Sequence, residues 1–216
     1  TWAISWVAAA YHNGMHLLPA AAPHDLATLA AALTTHGVCL LPDFQDAIAT
    51  RALRLQLQAM QATGNLQPAG TGQGAGHRSS GMTRGDSTHW IEEDQGTATT
   101  AYLSALHALR ASMNRQLFLG MPEVEAHFAC YPAGAGYKRH RDRFQGSNSR
   151  VLSLVTYLND DWQDADGGAL RLHLPEGTVD VLPQACMSVC FLSETEHEVL
   201  PATRERLSIA AWLRTG

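Results

Sequence analysis

The sequence predicts an α+β domain in which helices come first and an antiparallel jelly-roll core follows. Up to about residue 120, apolar positions recur every three or four residues between cap-forming Asp and Gly. Residues 124–215 break instead into short β-rich runs separated by Pro and Gly turns, with no helical run between them. No internal repeat or second core interrupts the 216 residues, so one domain accounts for residues 15–216.

The elements follow in chain order. Pro23 and Asp25 suit a helix start, Leu26, Leu29, Ala30 and Leu33 form its apolar stripe, and Gly37 stops it. Val38–Leu41 is a short apolar strand ended by Pro42, and Asp46 caps a second helix with Ile48, Ala52, Leu55, Ala59 and Ala62 as its expected inner stripe. From Gly64 to Gly81 the chain is too rich in glycine for regular structure and reads as a mobile loop; it follows no strand and has no Walker lysine, which argues against a phosphate cradle. A third helix spans Thr97–Leu119, with Leu103, Leu106, Met113 and Leu117 on one stripe and Gly120 beyond. The predicted strands are Glu125–Tyr131, Arg150–Leu158, Ala169–Leu174, Thr178–Leu182, Met187–Leu192, His197–Leu200 and Leu207–Leu213. A jelly roll covered on one outer face by the helices is the expected architecture.

Composition narrows the partners. Lys and Arg number 15 against 20 Asp and Glu, a formal charge of -5, so a general affinity for nucleic acid or an anionic membrane is not expected. The longest apolar stretch, Ala3–Tyr11, is interrupted by Ser5 and falls far short of the ~20 residues of a spanning helix. Residues 1–14 lack a basic signal-type start and are left out of the expected fold as a possible non-native or disordered extension, with Met15 a plausible start. Cys39, Cys130, Cys186 and Cys190 include no CxxC pair; Cys186 and Cys190 are expected on one strand face, and a reduced, cytoplasmic protein is the simplest expectation.

The chemistry gathers around His140-Arg141-Asp142. In an extended segment, residues i and i+2 point to the same side, so this imidazole and carboxylate can grip one ion. Alone the pair carries little weight, since chance supplies H-x-D in a chain this rich in His and Asp. His197 completes a set of two His and one carboxylate, the triad that holds Fe(II) while leaving positions open for an organic acid and dioxygen. Arg206 offers a guanidinium fork for the far carboxylate of a dicarboxylate, and Tyr131 and Tyr157 offer hydroxyls on two other strands. Lys138, Arg139, Arg141, Arg143 and Arg150 form a basic run beside the pair, either a solvated face or a steering field for an acidic ligand.

These residues carry a family resemblance. The runs Ala129–Asp142, Tyr157–Trp162, Gly167–Arg171, His197–Pro201 with Arg206, and Arg84–Ile91 upstream resemble the iron- and 2-oxoglutarate-dependent prolyl hydroxylases of the hypoxia-inducible-factor type. The likeness extends from about Val38 to Leu213, nearly the whole chain. It implies a double-stranded β-helix, cupin-like, with His140, Asp142 and His197 as the Fe(II) ligands and catalytic centre, and Arg206 pairing with 2-oxoglutarate. Tyr131, Tyr157 and Leu170 match positions in the cosubstrate pocket; Arg206-Leu-Ser208 also resembles the R-x-S element of other such oxygenases, leaving Tyr157 or Ser208 as the arginine's partner.

The reaction the resemblance implies consumes O2, splits 2-oxoglutarate to succinate and CO2, and hydroxylates C4 of a prolyl residue in a protein, with ascorbate in support. An Ala-rich, Lys-poor composition points to a bacterial member, for which elongation factor Tu is the substrate suggested by analogy. Arg150 matches a substrate-contacting arginine and Asp86 its loop partner, so an Asp86–Arg150 ion pair is expected; Tyr137, Trp90 and Trp212 are expected at the substrate entrance. The stretch Tyr131–His140 is shorter than in the animal enzymes and Phe144–Ser149 is a different turn, so substrate choice does not transfer. The competing expectations are a small-molecule or free amino acid hydroxylase of the same chemistry, and a non-catalytic cupin-like module that senses iron or oxygen.

Overall fold

The computed structural model describes residues 5–7, 18–70, 83–143 and 150–215, at 5–7 by backbone only. In chain order the elements are β1 (Ser5–Val7), β2 (Leu18–Ala20), α1 (Leu26–His36), β3 (Val38–Pro42), α2 (Ala47–Ala62), β4 (Gln67–Pro68), β5 (Ser87–Trp90) and α3 (Thr97–Leu117). Then come β6 (Glu123–Tyr131), β7 (Tyr137–His140), β8 (Arg150–Tyr157), β9 (Leu170–Leu174), β10 (Gly177–Val181), β11 (Met187–Leu192), β12 (Glu196–Val199) and β13 (Arg206–Arg214). The major sheet runs β1-β2-β3-β11-β8-β13-β6-β5-β4 and the minor sheet β10-β9-β12-β7. This is the α+β double-stranded β-helix, with three helices against one sheet.

Alternation along the central strands builds two cores. On β3, Cys39 and Leu41 face the helices while Val38 and Leu40 face the minor sheet; on β13, Leu207, Ile209, Ala211 and Leu213 take the helix side. Leu29, Leu33, Leu57, Tyr102 and Leu106 close the helix-side core. Between the sheets, Val189 and Phe191 meet Leu170, Leu172 and Val199 from the minor sheet. Side chains on this inner face of the major sheet are the ones that can reach a ligand held between the sheets.

Caps set the helix ends. Asp25 accepts from the Thr28 backbone N–H at 3.1 Å, and Gly37 closes α1 in the left-handed region (φ 72). Asp46 caps α2 through Ala49 N–H at 2.8 Å. The orientation of α2 departs from expectation: Thr50, Leu53 and Leu57 point inward, while Ile48 and Leu55 are 82% and 54% exposed. Two apolar stripes run along this helix, and the Thr50 hydroxyl bonded to Gln45 C=O, with Arg54 reaching Leu158 C=O, selects the second one. Helix α3 stops at Leu117 with Phe118 in the left-handed conformation, slightly short of the expected end.

Strands β5 and β7 were not expected, being short and rich in polar residues. Ser5–Val7, within the stretch set aside, pair antiparallel with Leu18–Ala20; the other residues of 1–14 lie outside the described residues, as do 71–82 of the glycine-rich loop and the 144–149 turn. Cys186 precedes β11 in a left-handed conformation (φ 66), so it does not share the strand face of buried Cys190. All four cysteines are free thiols. No helix among the described residues is long and apolar enough to cross a membrane.

The orientation of α2 has a direct check. Leu53→Ala is expected to cost about 2–5 kcal/mol, because it opens a cavity against the sheet, whereas Leu55→Ala stays within about 0.5 kcal/mol. Urea unfolding of the two variants measures the difference, and equal costs would mean that α2 is rotated.

Candidate metal centre

Strand β7 ends at His140, and β12 places His197 directly opposite it. Asp142 follows two residues after His140, and the ligand-capable atoms of the three side chains lie within 4.8 Å of one another, the one such group among the described residues. Asp142 Oδ1 is 3.8 Å from His140 Nε2, and Oδ2 is 3.6 Å from His197 Nε2.

Surrounding groups decide which atoms face the centre. His140 Nδ1 lies 2.8 Å from Lys138 C=O and His197 Nδ1 2.9 Å from Thr195 C=O. A carbonyl only accepts, so both Nδ1 atoms carry the proton and both Nε2 lone pairs point inward. The Ser153 hydroxyl donates to Asp142 Oδ2 at 2.7 Å and meets Ser193 Oγ at 2.9 Å. Burial pushes His140 down to about 4, aided by His197. Burial alone would raise Asp142, but the two histidines outweigh it and hold the carboxyl below its ordinary value. Two imidazoles presenting Nε2 and one carboxylate form a donor set that fits Fe(II) with coordination positions left open.

A cavity of about 780 Å³ reaches this triad and is also lined by Arg206, Ser208, Tyr131 and Leu170. The Arg206 residue is 1% exposed. Its Nε donates to Gly168 C=O at 2.9 Å and Nη1 to Ser208 Oγ at 3.1 Å, while buried Nη2 has no partner among the described residues. The rings of Tyr131 and Tyr157 each lie 5.3 Å from the guanidinium. Both candidate partners of Arg206 are therefore adjacent to it, Ser208 through its hydroxyl in the cavity wall and Tyr157 through its ring.

Of the residues expected at the substrate entrance, Arg150, Tyr137, Trp90 and Trp212 line the cavity and Asp86 does not. The expected Asp86–Arg150 pair is absent. Asp86 is buried and takes a two-pronged bond from Arg84, Nε to Oδ1 at 2.7 Å and Nη2 to Oδ2 at 2.9 Å. Arg150 donates instead to Glu125 at 2.7 Å, stacks 3.6 Å over Trp212, and shares Glu125 with Arg214. The reason is proximity: Arg84 sits two residues from Asp86 on one side of an extended segment, and Glu125 lies on β6 beside the strand that carries Trp212 and Arg214. The rest of the basic run is also paired in part, with Arg139 and Arg141 on Glu196 and Arg143 near Glu194, the pattern of a solvated face.

Ser153, Glu125, Arg84 and His127 were missed. Strand parity could have found three of them: Ser153 shares a face with Val155 and Tyr157 on β8, and Glu125 and His127 share one with Ala129 and Tyr131 on β6. His127 is buried, donates Nδ1–H to Phe128 C=O at 3.0 Å and accepts from Arg84 Nη2 at 3.3 Å. Its ring packs on Trp90 and Trp212 with centroids at 5.1 and 5.2 Å.

Burial, and then the Arg84 charge, push His127 from 6.5 down to about 4. The unfolded chain thus binds more protons between these values, so the stability held by neutral His127 is complete above about pH 6.5 and is lost as pH falls toward 4. Between pH 6.5 and pH 5 the loss is about 2 kcal/mol. His127→Gln is expected to remove that share of the acid sensitivity, measured as the difference in unfolding free energy between pH 7 and pH 5.

Comparison with known proteins agrees with this geometry. Residues 126–214 match the model of the 2OG-Fe(II) oxygenase superfamily. The chain is 32% identical over 193 residues to human Egl nine homolog 1, covering 83% of this chain but only 44% of that protein, so it spans less than half of that relative's length. It is 31% identical over 190 residues to human prolyl hydroxylase EGLN3, covering 82% of this chain and 77% of that protein. Among solved structures, a Pseudomonas putida prolyl-4-hydroxylase superposes with a TM-score of 0.82 at 44% identity, covering 88% of this chain and 99% of that one. A Trichoplax adhaerens prolyl hydroxylase bound to a hypoxia-inducible-factor peptide gives 0.80 at 27% identity, covering 89% and 90%. With the triad and the buried arginine on one cavity, these likenesses make the chain a member of the 2OG-Fe(II) oxygenase superfamily, among its prolyl hydroxylases.

Proposed function

We propose that the chain is an Fe(II)- and 2-oxoglutarate-dependent oxygenase that hydroxylates C4 of a prolyl residue in a protein, releasing succinate and CO2. The observation that carries this is Arg206. A guanidinium at 1% exposure, with no carboxylate partner among the described residues and Nη2 unbonded, sits in the same cavity as the triad. A buried cation without a counter-ion is costly, and a dicarboxylate cosubstrate supplies that counter-ion. A module that only held iron would have no use for it.

His140, Asp142 and His197 would hold the iron, and Arg206 would take the far carboxylate of 2-oxoglutarate, with Ser208, Tyr131 and Tyr157 around it. Bound iron with its keto acid supplies the activation of dioxygen and the oxidising equivalents for C–H hydroxylation. The chain's own contribution is positional. Lys138 and Thr195 carbonyls fix the imidazole tautomers, Ser153 orients Asp142, and Leu170 with Val199 keeps the wall apolar and water out. Trp90, Trp212, Arg150 and Tyr137 line the way to the target proline, while Asp86 acts from behind through Arg84.

The protein substrate is the finer part of the proposal. Elongation factor Tu is the candidate offered by analogy with bacterial relatives, with ascorbate as supporting reductant and the cytoplasm, where free thiols persist, as the compartment. Residues 15–216 are taken as the single oxygenase domain.

Anaerobic titration with Fe(II) and then 2-oxoglutarate should produce the visible charge-transfer band of a chelated keto acid, fading on oxygen as succinate forms. Arg206→Met should keep Fe(II) affinity and lose about 2–5 kcal/mol of cosubstrate binding, roughly 30-fold or more. Unchanged 2-oxoglutarate affinity in that variant would overturn the anchor. Mass spectrometry of elongation factor Tu for a proline gaining one oxygen tests the substrate separately.

A further inference from the structure

Arg84 stands outside both the triad and the Arg206 anchor, yet its guanidinium joins several parts of the cavity wall. It forks onto both oxygens of Asp86 and donates to His127 Nε2 at 3.3 Å. Its guanidinium carbon lies 5.0 Å from the centre of the Tyr137 ring, and that ring lies almost flat on His140, centroids 3.6 Å apart and planes at 17°. The backbone ties the same pieces together: Gly85 N–H bonds Gly136 C=O and Lys138 N–H bonds Thr83 C=O, both at 3.0 Å.

His140 needs such support more than its fellow ligands. Its side chain is 17% exposed, against 10% for Asp142 and 6% for His197. The bond from Nδ1 to Lys138 C=O selects the tautomer but leaves the ring free to tilt about that hydrogen bond. His197 bounds the ring at 4.2 Å, and Tyr137 stacks on it at 3.6 Å. Tyr137 is only half-buried, so its own place depends on what holds it.

We infer that Arg84 is a positioning residue for the metal centre, holding Tyr137 against His140 so that His140 Nε2 stays aimed at the ion. This rests on the proposed role of the triad. Arg84 suits the task because its planar fork satisfies Asp86 with one edge while the same group reaches His127 and Tyr137; a lysine point charge cannot make that set of contacts. Asp86 cancels the buried charge, which would otherwise oppose a divalent ion bound nearby.

The test is anaerobic Fe(II) binding to the full chain, measured by competition with a chromogenic chelator. Arg84→Met could unfold the chain by stranding Asp86, so Arg84→Met with Asp86→Leu, which removes both charges, is measured beside it. Tyr137→Leu and the Arg84 variants are each expected to weaken Fe(II) binding about 10-fold, in the range for residues that orient a metal ligand. Adding Tyr137→Leu to Arg84→Met/Asp86→Leu should weaken it little further, because both changes remove one support. Tyr137→Phe keeps the ring and should retain affinity, and the metal-free Tyr137→Leu chain should melt near the parent temperature. Fe(II) affinity within twofold of the parent in both the double variant and Tyr137→Leu would overturn the inference while leaving the iron site standing. A parent chain that binds no Fe(II) would remove the triad's proposed role and this inference with it.

Discussion

The antiparallel pairing of β7 with β12, which sets His140 opposite His197, is the contact on which the rest of the site depends. The two residues are far apart in the chain, and only this register brings their imidazoles to 4.2 Å. A slip of one position would turn His197 toward the outer face, because side chains alternate along a strand. Two features hold the register. On its other side β12 pairs with β9 through Leu172 and Leu170, which are locked in the inter-sheet core. At the start of β7, Gly136 lies so close to β12 that a Cβ there would come within 2.5 Å of Val199 C=O.

Charge compensation separates the structural arginines from the one with a free valence. Arg84 is matched by Asp86, Arg150 and Arg214 by Glu125, and Arg171 on the outer face by Asp180. Arg206 is the most deeply buried of them, and its partners are a carbonyl and a hydroxyl. On the proposed reading, the cost of burying that charge is offset when a dicarboxylate enters the cavity, which would couple ligand affinity to local order. Gly168 suits the crowding around that arginine: in a left-handed conformation (φ 70), a Cβ there would run into Ala202, Trp162 and the stem of Arg206, and its carbonyl accepts from Arg206 Nε.

Much of the site was legible because strand periodicity is a local property. Once Leu207, Ile209 and Leu213 are assigned to one face of β13, Arg206, Ser208 and Trp212 must share the other, and Tyr131 follows in the same way on β6. His140 and Asp142 were legible as an i, i+2 pair. The Asp86–Arg150 pair was not, since partner choice depends on which side chains converge across strands, and Arg84 and Glu125 stood nearer. Nor was the face of α2, where two apolar stripes compete and only contacts from Gln45 and Leu158 separate them.

The chain's local chemistry therefore decided the helices and the longer strands, the helix caps at Asp25 and Asp46, the α+β class and the residue types proposed to hold iron and a dicarboxylate. Those properties follow from backbone preference, alternation and donor type, which neighbours in sequence suffice to express. Tertiary structure alone decided that His140 stands opposite His197, that Arg206 lacks a carboxylate partner among the described residues, and that Arg150 goes to Glu125 and not to Asp86. Each of these depends on distances between strands that meet only after the two sheets have closed over a common core, where a shift of an ångström changes which donor finds which acceptor.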